Sequence, residues 1–311
     1  MYVAFFSLWS PLAYKVQLLI NLKQLTRDKN YRYQSMHDLI ISTDLDGTLL
    51  DHDNYDPTPA GELLRTLEQL GIPIIFNTSK TFSEVLEIRE QLGNCHPFIC
   101  ENGSAIFIPA NHPLSENEGD ICPDNDDYFM FLLGFNRSAI IETLSQYKSR
   151  YGFRGFSDFS ITELMSLTGL SVRQAVSSTK RSFSEPLLWP EDDSNIDQFR
   201  REMENHFMKV VRGGRFTHVI GMTDKGKAQA WVRTAYETFY NRRYEVMALG
   251  DAENDLDMIL RSDYPVQIRS LQHEFPSIPE DINVYRTSAI GPAGWHEAVT
   301  RQLQNMGLLG S

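Results

Sequence analysis

Short apolar runs, each closed by polar residues or glycine and each followed by a helical stretch, set the rhythm of this chain. The first is Leu39-Ile40-Ile41, which leads through Ser42-Thr43 into Asp44-Leu45-Asp46-Gly47-Thr48. A polar loop with Pro57 and Pro59 follows, and then Leu63, Leu64, Leu67 and Leu70 at helical spacing predict a helix over roughly 60–70, stopped by Gly71. Ile72 to Asn77 is a second strand ending in Thr78-Ser79-Lys80-Thr81, and Ser83 stands where it would cap a helix running to about Leu92. Pro97 to Cys100 is a third strand, ending in Glu101-Asn102-Gly103, and Ser104 to Pro109 adds a further β segment. The alternation predicts an α/β fold with a doubly wound, mainly parallel sheet, whose sites lie beyond the carboxyl ends of its strands.

Between about 111 and 127 the pattern gives way to acidic and proline residues, as in a linker. The next stretch reads as a separate α+β unit over 128–221. Tyr128 to Leu133 is strand-like, 137–150 helical, and Ser160-Ile161-Thr162-Glu163 is a capping box opening a helix that Thr168-Gly169-Leu170 breaks. A helix from Ser171 to about Ser178, a strand at Leu187 to Trp189 and a helix over 195–207 come next, and then a hairpin turns around Arg212-Gly213-Gly214-Arg215. From Thr223 the α/β rhythm resumes. Lys225 opens a helix, Glu245 to Leu249 is a strand ending in Gly250-Asp251-Ala252-Glu253-Asn254-Asp255, and late strands fall at Tyr264 to Ile268 and Asn283 to Tyr285. Gly294-Trp295 starts a last helix to about Leu303. The sheet domain is therefore expected in two parts, 36–127 and 222–311, with the second unit inserted between them.

Composition narrows the function classes. Across 311 residues, 41% are hydrophobic and 23% charged, an ordinary balance for a soluble globular protein, and the formal net charge is −12. That charge argues against nucleic acid or an anionic membrane surface as a partner, since both need clustered lysine and arginine. Cys95, Cys100 and Cys122 form no metal-type spacing and cannot all pair, which suits a reducing cytoplasm, and Cys95 and Cys100 are expected as core thiols. The eight histidines show no ligand-like clustering, so each is expected in a plain surface or core role. Residues 1–35 fit the rest poorly: Pro11 and Lys15 interrupt a fairly apolar stretch too short for a spanning helix, and an extension, disordered or packing, is expected there, with Met36 a natural start.

The chemistry sits at element ends. In an extended strand residues i and i+2 share a face, so Asp44 and Asp46 can point at one spot, and Gly47 lets the chain turn away. Like charges brought together need a positive partner. Thr78, Lys225, Asp251 and Asp255 stand at other element ends that one site could use, and carboxylates without paired histidine or cysteine ask for a hard cation such as Mg²⁺. A carboxylate beside such a metal can attack phosphorus. The division of labour expected is Asp44 as nucleophile, Asp46 as proton donor and acceptor, Thr78 and Lys225 holding the transferring oxygens, and Asp251 anchoring the metal. Lys227 competes with Lys225 for its role, and Asp255 and Asn254 would ligate directly or orient the loop from behind. Arg212-Gly213-Gly214-Arg215 is either a plain hairpin turn or an anion cradle, its glycine amides and arginines meeting a carboxylate, with Lys80 assisting.

Asp44-Leu45-Asp46-Gly47-Thr48, the strand-ending Thr78, Lys225 and Gly250-Asp251-Ala252-Glu253-Asn254-Asp255 resemble, in order, the four signature motifs of the haloacid dehalogenase superfamily, over about residues 38 to 303. The resemblance implies a Rossmannoid core, and the insertion looks like that superfamily's larger α+β cap, class IIB. Thr78-Ser79-Lys80-Thr81, Glu101-Asn102-Gly103, Thr168-Gly169-Leu170, Arg212-Gly213-Gly214-Arg215-Phe216 and Gly291-Pro292-Ala293-Gly294-Trp295 look in particular like the mannosyl-3-phosphoglycerate phosphatases. That likeness implies Mg²⁺-dependent hydrolysis of a small phosphorylated sugar–glycerate to mannosylglycerate, a compatible solute, through an aspartyl-phosphate. It implies substrate contacts at Ser79, Lys80, Arg212, Gly213, Gly214, Arg215 and Asn254, with other sugar phosphates as alternatives.

Overall fold

The computed structural model describes residues 37–310, except 53, 118, 191–194, 214 and 215 and the side chains of 116 and 117. The extension expected over 1–35 and the substrate contacts expected at Gly214 and Arg215 lie outside the described residues. In chain order the first part contains β1 (Leu39–Thr43), α1 (Ala60–Gln69), β2 (Ile74–Asn77), α2 (Phe82–Leu92), β3 (Phe98–Cys100), β4 (Ala105–Pro109), β5 (Asp120–Ile121) and β6 (Tyr128–Leu132). The middle contains α3 (Arg137–Ser145), α4 (Lys148–Tyr151), β7 (Arg154–Gly155), α5 (Ile161–Thr168), α6 (Val172–Thr179), β8 (Ser184–Leu188), α7 (Ile196–Glu204), β9 (Met208–Gly213) and β10 (Phe216–Gly221). The last part contains α8 (Lys225–Tyr240), β11 (Glu245–Gly250), α9 (Leu256–Ile259), β12 (Tyr264–Arg269), β13 (Tyr285–Ile290) and α10 (Gly291–Asn305).

Nine strands form one sheet in the order β13-β12-β11-β1-β2-β3-β4-β6-β5, and the four strands β7-β8-β10-β9 form a second. In the large sheet β13, β12, β11, β1, β2 and β3 run parallel, while β4, β6 and β5 are antiparallel. β1 lies between β2 and β11, with Ser42 opposite Ile75 on one side and Ala248 on the other. The strand order changes direction here, so a crevice opens beyond the carboxyl end of β1.

Alternation along β1 divides the core. Leu39 and Ile41 pack in a cluster with Leu63 and Leu67 of α1 and Trp295, Val299 and Leu303 of α10. Ile40 faces the opposite way, with Ala228, Val232 and Ala235 of α8. Helices on both faces explain why the central strands read as unbroken apolar runs. Trp295 Nε1 donates to Thr43 Oγ1 at 3.1 Å, tying α10 to the end of β1. The small sheet has its own core, in which Phe153, Leu187, Phe199, Met203 and Val219 are buried together.

Several local expectations shift. Tyr128–Leu132, expected to open the inserted unit, pairs with β4 and so belongs to the large sheet. Its alternate residues serve both cores, Tyr128 and Met130 one and Phe131 the other. Thr81, not Ser83, caps α2: it is extended and stands three residues before Glu84, with which it completes a capping box. The helix expected over 137–150 breaks at Gln146-Tyr147, the strand expected at 187–189 is Ser184–Leu188, and the last strand is Tyr285–Ile290, followed at once by α10 from Gly291. Cys95 is exposed, not a core thiol.

Candidate active site at the carboxyl ends of the central strands

Four strand or helix ends meet beyond β1. Lys225, the first residue of α8, is wholly buried, with Nζ 2.7 Å from Asp44 Oδ1 and 2.6 Å from Asp255 Oδ1. The other oxygen of Asp255 accepts from the amides of Asp251 (3.1 Å) and Ala252 (3.0 Å), so this carboxylate is fully engaged in holding Lys225 and the loop after β11. Lys227 turns outward, donating to the Met222 carbonyl, so the geometry brings Lys225 rather than Lys227 to the carboxylates. Asn77, the last residue of β2, donates to the Lys225 carbonyl at 3.0 Å and fixes the start of α8.

Asp251 is buried, and its Oδ1 accepts from Thr48 Oγ1 at 3.1 Å. Gly47 has φ +72, and a Cβ there would lie 2.8 Å from Asp251 Oδ2, so glycine is required both for the turn and for room beside the carboxylate. Asp44, Asp251 and Asp255 offer oxygens all within 4.8 Å of one another. Asp46 faces a different cation. Lys80 Nζ lies 2.9 Å from Asp46 Oδ1 and 4.7 Å from the Tyr55 ring centroid. Thr78 is buried, its hydroxyl accepting from the Lys80 amide at 3.2 Å.

The charges here are unbalanced. Burial pushes the Asp44 carboxyl up; Lys225 opposes this, but Asp255 and Asp46 add their repulsion and it stands at about 7. Burial likewise raises Asp251, against His273, and raises Asp255, against Lys225. Burial would lower both lysines, yet Asp255 with Asp44 keeps Lys225 above its ordinary value, and Asp46 with Glu84 does the same for Lys80. Lys225 serves Asp44 and Asp255 while Asp251 has His273 beside it, and a further cation between Asp44 and Asp251 would relieve the remaining repulsion. Asp44 and Asp251 offer hard carboxylate oxygens, which suits Mg²⁺.

The inserted part of the chain is tied to the loops around this site through specific contacts. Glu101, buried at the end of β3, accepts from the amides of Ser182 (2.9 Å) and Phe183 (3.1 Å) and from Ser184 Oγ (2.5 Å). Arg181 donates to the Ser79 carbonyl at 2.9 Å, and Thr81 Oγ1 to the Ser177 carbonyl at 3.0 Å. On the return crossing, Lys209 of β9 reaches Asp257 (2.6 Å) and Asp224 (3.3 Å). Gly213 at the end of β9 lies against Asn254, whose amide donates to Asn102 Oδ1 at 2.9 Å. Arg212 is exposed beside it.

Asp44, Asp46, Thr78, Lys225, Asp251 and Asp255 are thus brought to one crevice, with Ser79 and Lys80 in the adjoining loop. Sequence reasoning missed His273, whose Nε2 lies 3.4 Å from Asp251 Oδ2 and whose ring that bond holds up at about 8. It also missed the clasp formed by Glu101 and Arg181. His273 sits in an aperiodic loop and carries no spacing signal, whereas Glu101 was visible as a charged residue closing an apolar strand.

Residues 41–275 match the haloacid dehalogenase-like hydrolase family. A glucosyl-3-phosphoglycerate/mannosyl-3-phosphoglycerate phosphatase from Persephonella marina is 32% identical over 269 residues, covering 86% of this chain and 98% of that protein. A protein of the same name from Methanococcoides burtonii is 34% identical over 264 residues, covering 84% and 95%. Among solved structures, that of Thermoplasma acidophilum 0175 superposes with a TM-score of 0.60 at 18% identity, covering 88% of this chain and all of that one, a likeness of fold. Among the described residues, no helix is long and apolar enough to cross a membrane.

Proposed function

This chain belongs to the haloacid dehalogenase-like hydrolase family as a phosphoric monoester hydrolase, and from that premise we propose that it hydrolyses mannosyl-3-phosphoglycerate to mannosylglycerate and phosphate. The observation that carries this reading is Lys225 wedged between Asp44 and Asp255, with Asp251 beside them and Asp46 held apart on Lys80. The substrate class rests on the names of the two relatives, which carry both sugars, so the glucosyl ester is the second substrate to expect.

Asp44 attacks the phosphorus, and an acyl phosphate forms as the bond to the glycerate oxygen breaks. Asp46 gives that oxygen its proton. In the second half Asp46 takes a proton from the water that attacks phosphorus, phosphate leaves and Asp44 is regenerated. Lys225 keeps Asp44 oriented, and Thr78 and Lys225 hold the transferring oxygens. Asp44, Asp251 and the main-chain carbonyl of Asp46 would hold Mg²⁺, which supplies the positive charge that lets a carboxylate approach a phosphate dianion. Ser79, Lys80, Asn254, Arg212 and Gly213 contact the substrate, together with Gly214 and Arg215 on the strength of the sequence motif alone, and an arginine suits the glycerate carboxylate. The second sheet covers the site and excludes bulk water.

The test is a panel of glycosyl phosphoglycerates and simple sugar phosphates, assayed with Mg²⁺ and with EDTA, alongside Asp44→Asn. Glycerate-bearing substrates should be preferred, EDTA should abolish turnover, and the variant should be inactive. Full turnover by Asp44→Asn would overturn the nucleophile, and indifference to EDTA would overturn the metal.

A further inference from the structure

A second group of ligand-type side chains lies at the opposite ends of the central strands of the large sheet. Glu68 sits near the end of α1, just ahead of β2, and Cys95 and His96 lie between α2 and β3, all at the amino ends of strands whose carboxyl ends carry the candidate active site. His96 Nε2 is 3.0 Å from Glu68 Oε2, Cys95 Sγ is 3.5 Å from Glu68 Oε1, and one donor atom from each residue falls within 4.8 Å of the others. Zn–N and Zn–O bonds of about 2.0–2.2 Å and a Zn–S bond of about 2.3 Å, set at tetrahedral angles, space their donors by roughly 3.2–3.6 Å. The two pairs lie close to that spacing, His96 on one oxygen of Glu68 and Cys95 on the other.

The donors are also held in place. His96 is buried, its carbonyl accepts from Arg89 Nη1 at 2.5 Å, and its ring stands edge-on to His112 at 6.1 Å. Asn94 Nδ2 donates to the Ile74 carbonyl at 2.8 Å, and Gly93 closes α2 in the left-handed region, so the loop carrying Cys95 is tied to the start of β2. Cys95 and Glu68 are exposed, which gives an ion a path in and leaves a side open for water. One imidazole, one thiol and one carboxylate make a borderline-to-soft donor set, unlike the all-carboxylate group at Asp44 and Asp251.

We propose that Glu68, Cys95 and His96 form a binding site for a single Zn²⁺-class transition-metal ion, distinct from the Mg²⁺ site. The ion binds the Cys95 thiolate, the neutral His96 imidazole and the Glu68 carboxylate, releases the thiol proton and staples the end of α1 to the loop before β3. This site does not depend on the substrate reading above.

Cobalt(II) is the probe. Titrating the reduced, full-length protein should give a thiolate-to-cobalt charge-transfer band in the near ultraviolet that saturates at one equivalent and is displaced by Zn²⁺. Oxygen ligands at the active site give no such band, which separates the two metals. Cys95→Ser should abolish it, and Glu68→Gln should weaken the affinity by at least about tenfold. Both positions are exposed, and Mg²⁺-dependent phosphatase turnover should be unchanged in each variant. Zn²⁺ should raise the melting temperature of the wild type and not that of Cys95→Ser. No band in the wild type, or a band that survives Cys95→Ser and so comes from Cys100 or Cys122, overturns the site.

Discussion

Lys225 Nζ lies 2.7 Å from Asp44 Oδ1, with the lysine wholly buried and the carboxylate nearly so. The same ammonium also satisfies Asp255, so removing it strands two buried carboxylates at once. Breaking a buried ion pair from one side costs about 3–5 kcal/mol. Lys225→Met is therefore expected to lose stability of that order in urea denaturation, and kcat by at least about a hundredfold. The stability loss should shrink as pH falls, because Asp44 and Asp255, already raised by burial, then take up protons. A variant as stable as the wild type at pH 8 would show that the pair contributes nothing net.

Gly47→Ala tests the loop beside Asp251 without replacing a carboxylate. The new methyl would meet Asp251 Oδ2 at 2.8 Å on a backbone with φ +72. Strain of this kind costs about 1–3 kcal/mol, and displacing Asp251 should raise the Mg²⁺ concentration for half-maximal activity by about 10–100-fold. An unchanged Mg²⁺ requirement would mean that Asp251 is not a ligand.

Glu101 reaches from the large sheet to three donors at Ser182, Phe183 and Ser184. In Glu101→Gln one acceptor oxygen becomes an NH₂ that faces donors, so at least one buried N–H or O–H loses its partner. The expected cost is about 1–3 kcal/mol in denaturation. KM should rise more than kcat falls, since the chemistry at Asp44 keeps its groups while the covering unit is held less firmly. A pure kcat effect would point instead to a direct part in the reaction.

Burial lowers the imidazoles of His112 and His218 to about 3, so both are neutral in the folded protein. Between about pH 6.5 and 3 the unfolded chain binds more protons at these positions than the native state, and stability falls as pH falls, by up to about 1.4 kcal/mol per pH unit for each. The raised Asp44, Asp251 and Asp255 work in the opposite sense, so the informative quantity is a difference. His112→Asn, which can still accept from the Leu114 amide as His112 Nδ1 does, should flatten the acid limb relative to wild type in pH-dependent urea titrations. Parallel curves would mean that His112 titrates normally.

What was legible in the sequence follows one physical rule. A strand buried on both faces must read as an apolar run, and whatever polar residue ends it is held at the sheet's edge. Asp44, Thr78, Glu101 and Asp251 all stand out in this way. The position of β6 was hidden, because Tyr128, Phe129, Met130 and Phe131 would suit either sheet and only pairing with β4 decides. Contacts between residues with no local pattern stayed invisible as well: Arg181 with Ser79, Lys209 with Asp257, His273 with Asp251. Cys95 and His96 looked bland for the same reason, since their partner Glu68 lies one helix earlier.

The turn after β9 carries the last prediction, and it bears on specificity. Gly213 packs on Asn254, and Asn254 holds Asn102 at the end of β3, so the backbone next to the exposed Arg212 lies against the loop that carries Asp251. A guanidinium there is well suited to a carboxylate, which it binds with two parallel hydrogen bonds, and a glycosyl phosphoglycerate has one where a simple sugar phosphate has none. Arg212→Ala should raise KM for the glycerate-bearing substrate by roughly 10–100-fold, the worth of a charge-assisted hydrogen bond of about 1.5–3 kcal/mol. KM for a simple sugar phosphate should stay within about twofold, and kcat on either should change little, because Asp44, Asp46 and Lys225 are untouched. Arg212→Lys keeps the charge but loses the planar fork, so it should recover only part of the effect. If both substrates weaken equally, Arg212 acts by holding the hairpin rather than by reading the carboxylate.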